Sequence, residues 1–410
     1  MKNKKLVIKG TIIDGIHKEP LKQGVIIVEG NVITDVGKEG EIKITEDAEV
    51  IQEKTVMPGM IDCHVHFCVD GGADAFKTSA ESTMSTLAIK ATIYLKRSIE
   101  AGFTTLRSVG DPEYLGVSLR DAVSKGFIPG PRILTSGQSL SITGGHGTVL
   151  LPWLHSDIIH GIFADGVEEV RKAVRTLIGS GVDLIKLLAT GGVMDIATEP
   201  GAQNYNLDEI RVAVEEAHKF GKKVAAHVEG LSGAKDCIRA GVDSLEHGTE
   251  LDDEAVQMMK DKGIFFVPTL IVGYNVQKYG IAGGIPEYAV KKESQINKKS
   301  LESFKRAYKA GVKIAMGTDA GSPFTYHGDN AKELEIMVNN GMSPIDAIMS
   351  TTRIASEAIG LSDKVGTLEK GKLADLLVVD GDPLKDITIL QNKNLIKMVM
   401  KDGEKAVVRS

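Results

Sequence analysis

Disulfide bonds, long apolar runs and excess positive charge are all things that this sequence lacks. Its 410 residues include three cysteines, Cys63, Cys68 and Cys237. A small and uneven number of cysteines argues against a disulfide scaffold and favours a reducing compartment. We therefore expect a cytoplasmic protein. No apolar run approaches the roughly 20 residues of a membrane span. The first apolar run ends at Lys9, too early for a secretory signal.

The charge balance excludes one further class of partner. The formal net charge is −6 and the pI is about 6.0. A weakly acidic chain offers no electrostatic argument for binding nucleic acid. Apolar residues make up 42% and charged residues 25%, which is ordinary for a soluble globular protein. We therefore expect a small-molecule partner, and we leave open whether the chain forms a homo-oligomer.

Both ends of the chain consist of short strand-like segments. Val, Ile and Thr dominate the first 55 or so residues, with Gly, Asn and Asp at the breaks. The stretches "KGKLADLLVVDGDPL" and "IKMVMKDGEKAVV" near the other end have the same character. The middle of the chain lacks it. We therefore expect residues 1–56 and 366–410 to pair into one small β-sandwich domain.

The middle of the chain, residues 57–365, alternates short β runs with helical patterns. Eight β runs are predicted, at 61–67, 103–109, 132–136, 183–189, 223–228, 242–246, 264–269 and 313–318. Several helical patterns end in glycine, the usual residue just past a helix C-terminus. Two further helices, "AKELEIMVNNG" and "SPIDAIMSTTRIASEAIG", follow the eighth run. Eight βα units predict a (β/α)8 barrel. A doubly wound open sheet is the alternative, although no glycine-rich phosphate turn follows the first strand.

One segment of the middle region does not fit the alternation. Residues 137–165 are rich in glycine and weakly periodic, and they follow the third predicted strand. In a β/α barrel the loops after the strands lie on the face that carries the active site. A loop this long inside a compact domain is usually either functional or disordered.

Imidazoles and a carboxylate stand at or near the ends of the predicted strands. His64 and His66 close "MPGMIDCHVH", His227 lies in "KKVAAHV", His247 closes "GVDSLEH" and Asp319 closes "GVKIAMGTD". Residues i and i+2 of a strand point to the same side, so the first two imidazoles can reach one ion. Imidazole and carboxylate are ligands of borderline divalent metals. Their placement at strand ends predicts a metal-dependent hydrolase.

Each of these residues also has a purely structural alternative. The H-x-H pair can be a polar strand end, His227 and His247 can be satisfied core histidines, and Asp319 can cap a helix. Their shared position at the ends of strands favours the metal-binding interpretation. The histidines that lack this placement are interpreted as surface or loop residues: His17, His155, His160 and His218.

Asp319 and Lys186 suggest more specific chemistry. A carboxylate at the last strand end can contact a metal and also take a proton from the attacking water. Lys186 lies in "DLIKLLA", where burial of an ammonium group is costly and favours the neutral amine. A neutral amine can take up carbon dioxide to form a carbamate, an anionic ligand able to bridge two metals. The alternative is a lysine whose amine reaches solvent at a strand edge.

Six motifs together resemble the metal-dependent amidohydrolase superfamily, in particular its prolidase-like branch of dipeptidases and carboxypeptidase-like enzymes. The motifs are "PGMIDCHVH", "DLIKLLATGGVM", "VAAHVEG", "GVDSLEHGTELDDE", "GTDAG" and "GTLEKGKLADLLVVDGDPL", in this order over essentially the whole chain. The resemblance implies a distorted barrel with two divalent metal ions, usually zinc. The ligands it implies are His64 and His66 for the more buried ion, His227 and His247 for the other, carboxylated Lys186 between them, and Asp319 as ligand and proton shuttle.

The resemblance also implies a reaction and a class of substrate. A hydroxide that bridges the two ions would attack an amide and release the C-terminal residue of a dipeptide or an N-acyl amino acid. The resemblance implies that His146 in "ITGGHG" reaches the substrate. Glu229 lies two residues beyond His227, so on a strand it would also face the barrel mouth and could select a basic C-terminal residue; alternatively, it caps the next helix or meets a surface lysine. Proline, hydrophobic and non-peptide amide leaving groups stay open. Tyr205 and residues 326–330 complete the candidates for substrate contact.

Two other functions stay open at this point. One is a cyclic amidohydrolase acting on a lactam or an imidazolone-type substrate, which would use a similar metal centre. Single-metal deaminases of the superfamily typically lack the lysine of the fourth strand, so Lys186 disfavours them. The other is a scaffold that kept the fold but lost its metal. None of the expected ligands is missing from the sequence, which disfavours the scaffold.

Overall fold

The computed structural model describes residues 5–148, 161–196 and 198–409, and these form an α/β protein. Its strands are Leu6–Ile12 (β1), Leu21–Glu29 (β2), Val32–Lys38 (β3), Glu49–Pro58 (β4), Met60–Val65 (β5), Phe103–Ser108 (β6), Arg132–Thr135 (β7), Ser139–Ser141 (β8), Gly161–Phe163 (β9), Leu184–Leu188 (β10), Lys223–Val228 (β11), Ser244–His247 (β12), Phe265–Val267 (β13), Leu376–Val379 (β14), Ile396–Lys401 (β15) and Glu404–Val408 (β16).

The helices lie mostly between the strands of the middle region. They are Ala75–Ala80 (α1), Met84–Glu100 (α2), Leu115–Ser124 (α3), Gly166–Gly179 (α4), Leu207–Lys219 (α5), Leu231–Ala240 (α6), Asp253–Lys262 (α7), Leu270–Tyr279 (α8), Glu287–Ala310 (α9), Lys332–Asn339 (α10), Pro344–Ser350 (α11) and Arg353–Ala358 (α12). Short 3-10 helices occupy Ile281–Gly283, Ile387–Gln391 and Lys393–Leu395. Among the described helices, none is both long enough and apolar enough to cross a membrane.

Strands from the two ends of the chain form one seven-stranded sheet, in the order β16-β15-β14-β4-β1-β2-β3. The link between the ends is the antiparallel pair β14 and β4, in which Leu376 lies opposite Pro58. Apolar side chains such as Ile8, Ile26 and Val378 form a core cluster of their own on this sheet. The two ends of the chain therefore pair in space. The strands belong to a single sheet, and the expected sandwich of two layers stays a prediction.

Two parallel sheets carry the middle region. Their orders are β5-β6-β7 and β13-β12-β11-β10-β8-β9. Backbone hydrogen bonds link them on one side, where the Asp183 N–H donates to the Thr135 carbonyl at 2.8 Å, between β7 and the start of β10. The paired strands run parallel, and helices separate most successive strands, as the alternation of patterns predicts; β8 follows β7 without a helix between them.

The eighth predicted β run, residues 313–318, lies between β13 and β5 but forms isolated bridges instead of a regular strand. The Ala315 N–H donates to Phe266 at 2.9 Å, and the Cys63 N–H donates to Met316 at 3.0 Å. Close approach of the neighbours explains the glycine at position 317, where a Cβ would come within 2.4 Å of the Val267 side chain and 2.9 Å of His64. This segment carries Asp319 to the end of β5.

Several helix ends follow the expected chemistry. Helix α5 begins with a capping box, in which the Asn206 side chain accepts from the Glu209 N–H and the Glu209 carboxylate accepts from the Asn206 N–H. Helices α6, α7 and α9 end in left-handed glycines, as expected. The prediction of one helix over "SPIDAIMSTTRIASEAIG" is wrong, because the chain breaks between α11 and α12. There the Thr351 carbonyl accepts from the Ile61 N–H at 2.7 Å, which ties it to β5.

The glycine-rich segment 137–165 contributes short strands at its two described ends. Ser139 pairs with Gly161 in the parallel pair of β8 and β9, at the edge of the larger parallel sheet. Residues 149–160 lie outside the described part of the chain, and so do the two histidines predicted as loop residues, His155 and His160.

A nearly buried ion pair joins the seven-stranded sheet to the parallel strands. Arg132 of β7 donates to Asp375 at 2.7 Å and to Asp402 at 2.5 Å. The Asp375 side chain is only 2% exposed and also accepts from the Asp402 backbone N–H at 2.8 Å. A charge that loses its partner in such a position keeps its desolvation cost without the compensating attraction.

We predict that Arg132→Ala lowers the free energy of unfolding by about 3 kcal/mol, because it leaves the Asp375 carboxylate buried and unpaired. Guanidinium chloride unfolding at neutral pH measures the change. Lys54→Ala is the matched control, since Lys54 pairs with Asp380 but its side chain is 70% exposed; its effect should stay within about 0.5 kcal/mol. Equal losses in the two variants would contradict the role of the Arg132 pair.

Candidate metal centre

A cavity opens where the parallel strands end, and the empty space within and in front of it, including open solvent, is about 1190 Å³. All six predicted metal ligands line it: His64 at the end of β5, His66 just beyond, Lys186 on β10, His227 on β11, His247 at the end of β12, and Asp319 after the segment 313–318. Because parallel strands present their carboxyl ends at one edge, residues far apart in the sequence meet there.

His64, His66 and Asp319 form the tightest group. The Asp319 Oδ1 lies 3.1 Å from the His66 Nε2 and 3.5 Å from the His64 Nε2. One ligand atom from each residue can be chosen so that all lie within 4.8 Å of one another. The two imidazole rings have centroids 5.3 Å apart and planes at 70°. Alternation along the strand therefore brings both imidazoles to the same carboxylate.

His227 and His247 continue this group of rings across the cavity. Their centroids are 4.5 Å apart, and the His247 ring is 4.9 Å from that of His64. The His247 Nδ1 is hydrogen-bonded to the Thr269 hydroxyl at 2.8 Å, which leaves its Nε2 free of that contact. The His227 Nε2 is buried and has no hydrogen-bond partner among the described residues.

Lys186 is buried beside these rings. Its Nζ has no hydrogen-bond partner in the described part of the chain, and the Asp319 Oδ1 has none beyond its contact with the His66 Nε2. Burial lowers the pKa of Lys186 to about 8, although the carboxylates of Glu246 and Asp319 act in the opposite direction. Buried polar atoms without partners are rare in folded proteins. Nitrogen and oxygen donors that converge in this way fit a borderline divalent metal.

The charge states of most of these residues also suit metal binding; the exception is His66, where burial opposes protonation but the Asp319 carboxylate raises the pKa. Burial and the nearby Lys186 lower the pKa of His64 to about 4, and burial holds the pKa of His227 and His247 well below the usual value. Burial would raise the pKa of Asp319, but the imidazoles of His64 and His66 more than offset it and hold it well below the usual value. Neutral imidazoles and an ionised carboxylate are the forms that bind metals.

Backbone conformation marks two of these residues. His247 has φ +67° and Asp319 has φ +57°, in the left-handed region that non-glycine residues seldom occupy. Such strain persists only where the surrounding contacts hold it, and it is common at functional sites. Both side chains leave their strand ends at these positions and line the cavity.

The sequence interpretation missed a buried network beneath His64. The His64 Nδ1 is hydrogen-bonded to the Glu246 carboxylate at 2.9 Å, and Glu246 accepts from Arg107 at 2.7 Å and from Ser244 at 2.5 Å. Burial opposes ionisation of Glu246, but Arg107 and His64 lower its pKa overall. A carboxylate that holds one ring nitrogen turns the other toward the cavity. Charged residues inside apolar strands, such as Arg107 in "TTLRSV", are the available signal.

A second carboxylate, Asp62, joins β5 to the segment before Asp319. It accepts from the His64 N–H at 3.0 Å, from the Thr318 N–H at 3.1 Å and hydroxyl at 2.6 Å, and from Asn330 at 2.6 Å. The predicted role of residues 326–330 in substrate contact finds no support, since none of them lines the cavity. Asn330 instead supports Asp62.

Of the other predicted substrate contacts, two lie in the cavity. His146 and Glu229 both line it. The Glu229 Oε1 lies 3.7 Å from the His227 Nε2, and its Oε2 is buried without a hydrogen-bond partner among the described residues. The alternative that Glu229 caps the next helix is wrong, because Gly230 is the N-cap of α6 and no side chain caps it.

Tyr205 does not reach the cavity. It is absent from the cavity lining, and its ring packs in the main hydrophobic core with 1% of its surface exposed. Tyr205 directly precedes Asn206, the N-cap of helix α5. Burial of the apolar surface of its ring accounts for the position of Tyr205. The prediction that Tyr205 contacts substrate is therefore corrected.

Comparison with known proteins identifies similar chains and structures. The chain is 32% identical over 423 residues to ochratoxinase of Aspergillus niger, covering 97% of this chain and 86% of that protein. Its structure resembles the crystal structure of a Xaa-Pro dipeptidase with bound methionine, with a TM-score of 0.88, 36% identity, and coverage of 97% of this chain and 98% of the other. It also resembles a prolidase complexed with N-methylphosphonate-L-proline, with a TM-score of 0.89, 30% identity, and coverage of 99% and 100%.

The comparison extends to a family model. The model of the amidohydrolase family matches residues 55–406, which include every predicted metal ligand and both predicted substrate contacts in the cavity. The resemblance inferred from the six sequence motifs is thereby confirmed. The chain belongs to the amidohydrolase family, with prolidase-like relatives, and is a hydrolase of amide bonds.

Proposed function

We propose that this protein is a binuclear metal-dependent dipeptidase or carboxypeptidase-like enzyme that releases the C-terminal residue from dipeptides or N-acyl amino acids. The observation that carries the proposal is the convergence of six nitrogen and oxygen donors in one cavity. Two of these donor groups, Lys186 and His227, have a buried nitrogen without a hydrogen-bond partner in the described chain. Relatives described as a dipeptidase and a prolidase support the class of substrate.

The proposal includes the architecture that brings these donors together. Residues 57–365 would form the hydrolase domain as a distorted (β/α)8 barrel, in which the segment 313–318 takes the place of the eighth strand between β13 and β5. Residues 1–56 and 366–410 would form the composite β domain. The backbone hydrogen bonds between the two parallel sheets support closure of the barrel.

Two divalent ions, zinc in the usual case, would be held by these residues. His64 and His66 would hold one ion, His227 and His247 the other, with Asp319 as a further ligand. The Lys186 amine would bond to carbon dioxide, lose a proton and become an anionic carbamate between the ions. Metal ions in such a pair polarise the scissile carbonyl and lower the pKa of water.

The chain's own groups would move the proton and place the substrate. The Asp319 carboxylate, kept ionised by the imidazoles around it, can accept a proton from the attacking water at one oxygen. It can then deliver that proton to the nitrogen of the leaving amine. The His146 ring lies beside the His227 ring, with centroids 4.1 Å apart, and lines the cavity, where it can hydrogen-bond a carbonyl or carboxylate oxygen of the substrate.

The rest of the cavity favours a substrate whose C-terminal residue is basic. Its wall is apolar around Val193, Val272 and Ile296, and it carries two buried carboxylates, Glu229 and Glu293. Burial and the neighbouring Glu293 raise the pKa of Glu229 well above its usual value, and burial raises that of Glu293 to about 7. A cationic group placed beside them would favour their ionised forms.

We predict that the zinc-loaded protein hydrolyses dipeptides and N-acyl amino acids, with the highest kcat/KM for C-terminal lysine or arginine. A norleucine analogue should be poorer by about tenfold or more, because it lacks the charge that Glu229 and Glu293 would pair with. Glu293→Gln should reduce this preference, whereas Glu302→Gln, on an exposed face of the same helix, should not. Hydrolysis of cyclic amides alone would replace this proposal with the cyclic amidohydrolase.

We predict that Asp319→Asn lowers kcat by about 1,000-fold, because an amide cannot accept the proton from water. Steady-state kinetics on the best dipeptide substrate measures the loss, and circular dichroism checks the fold. Asp329→Asn is the control, since Asp329 is exposed ten residues further along the same segment and does not line the cavity. Near-normal kcat in Asp319→Asn would refute the role of proton acceptor.

We predict that Lys186→Ala loses metal, because the methyl group offers no ligand in place of the carbamate. Elemental analysis should give about two ions per chain for the parent and clearly fewer for the variant. Short carboxylic acids added to Lys186→Ala should restore metal and activity by supplying the missing oxygen ligand. Lys125→Ala, which changes an exposed lysine, serves as control. Full occupancy in Lys186→Ala without added acid would exclude the carbamate.

A further inference from the structure

The His146 imidazole is held on several sides. Its Nδ1 is hydrogen-bonded to the Asp195 carboxylate, and one face of the ring packs against His227 with centroids 4.1 Å apart. Gly192 lies so close that a Cβ at that position would come within 2.5 Å of the ring Cε1. These contacts with Asp195, His227 and Gly192 therefore restrict the orientation of the His146 ring. No hydrogen bond to its Nε2 is found among the described residues, and the ring lines the cavity.

Asp195 is buried and held by several hydrogen bonds. It is 3% exposed, and its carboxylate accepts from the Gly147 N–H at 3.0 Å and from the Thr198 hydroxyl at 2.9 Å in addition to His146. Burial would raise its pKa, but His146, Thr198 and Gly147 together lower it. Its oxygens are thus fixed in place and charged at neutral pH.

A buried lysine fixes the backbone that carries Asp195. Lys292 of helix α9 donates from its Nζ to the Asp195 carbonyl at 2.7 Å and also to the Thr198 carbonyl. It is 6% exposed, and its ammonium contacts backbone oxygens where a carboxylate partner would be usual. The turn after β10 is therefore anchored to α9, and through Asp195 this anchor reaches His146.

We propose that Asp195 is a positioning residue, which accepts the Nδ1 proton of His146 and so directs the His146 Nε2 at the substrate. Lys292 and Gly192 complete the arrangement, the first by anchoring the backbone and the second by leaving room for the ring. The inference rests on the proposed function only in that His146 contacts the substrate. A carboxylate that sets the tautomer and orientation of an imidazole commonly contributes about 10- to 100-fold to the function of that imidazole.

A double-mutant cycle tests the inference. His146→Ala and Asp195→Asn should each lower kcat/KM for the best dipeptide, the second by about 10- to 100-fold. If Asp195 acts through His146, the double variant should be no worse than His146→Ala alone. A merely structural role would lower the melting temperature and metal content, and its effect would multiply with that of His146→Ala. Multiplying effects on kcat/KM would overturn the proposal.

Two matched controls sharpen this cycle. Asp14→Asn alters another Asp–His pair, since Asp14 contacts the exposed His17 outside the cavity, and it should leave kcat/KM unchanged. Gly192→Ala should displace the His146 ring and lower kcat/KM without adding to His146→Ala. Gly179→Ala is its counterpart, because a Cβ at Gly179 meets no atom within 4 Å. Unchanged kcat/KM in Gly192→Ala would contradict the close packing of the His146 ring against Gly192.

The tautomer of His146 gives a readout that needs no substrate. Long-range ¹H–¹⁵N spectra of zinc-loaded, histidine-labelled protein at neutral pH, assigned with His146→Gln, should show a proton on the His146 Nδ1. Asp195→Asn should shift the proton population at that nitrogen. A proton only on Nε2 in the parent would overturn the inference. If the parent hydrolyses no dipeptide or N-acyl amino acid, the proposed function fails, while the spectra still decide the role of Asp195.

Discussion

The hydrogen bonds around Asp62 are the constraint on which the site depends. This carboxylate is fully buried on β5, and it accepts from the backbone of His64 and from both the backbone and the hydroxyl of Thr318. These hydrogen bonds join Asp62 to Thr318, which lies 256 residues further along the chain. They hold the neighbouring Asp319 beside His64 and His66. Burial raises the pKa of Asp62 to about 6, so its hydrogen bonds must offset a substantial cost of desolvation.

Other buried carboxylates also hold residues that line the cavity. Glu246 holds the Nδ1 of His64, Arg107 supplies the opposite charge, and Asp195 holds the Nδ1 of His146. Each of these carboxylates is buried, and each is surrounded by donors that favour its ionised form. In both histidines, therefore, the nitrogen that points away from the cavity is hydrogen-bonded to a buried carboxylate, and the other nitrogen faces the cavity. Glu229 and Glu293 differ, because burial raises the pKa of both and no Lys or Arg of the described chain forms an ion pair with either carboxylate. That difference makes them candidates for contact with substrate.

The sequence predicted the residues at strand ends and missed those behind them. His64, His66, His227, His247, Lys186 and Asp319 could be found because each closes or occupies an apolar run, and the order of these runs sets their meeting point. Glu246 was hidden by its neighbour His247, although a charged residue inside a buried strand is a usable signal. Asp195 and Glu293 offered none, since the residues around them lie on other elements. Tyr205 was misplaced because a polar group next to a helix start does not reveal where its ring packs.

Periodicity, glycine positions and strand-end chemistry by themselves determined the α/β character, the order of the elements and the set of candidate ligands. These properties are local, because they depend on alternation along a strand and on the residues that end a helix. Only the tertiary structure decided which buried polar atoms find partners and which do not. That outcome depends on side chains brought together from β5, β10, β11, β12 and α9, whose distances are set by packing and by the shape of the backbone between them.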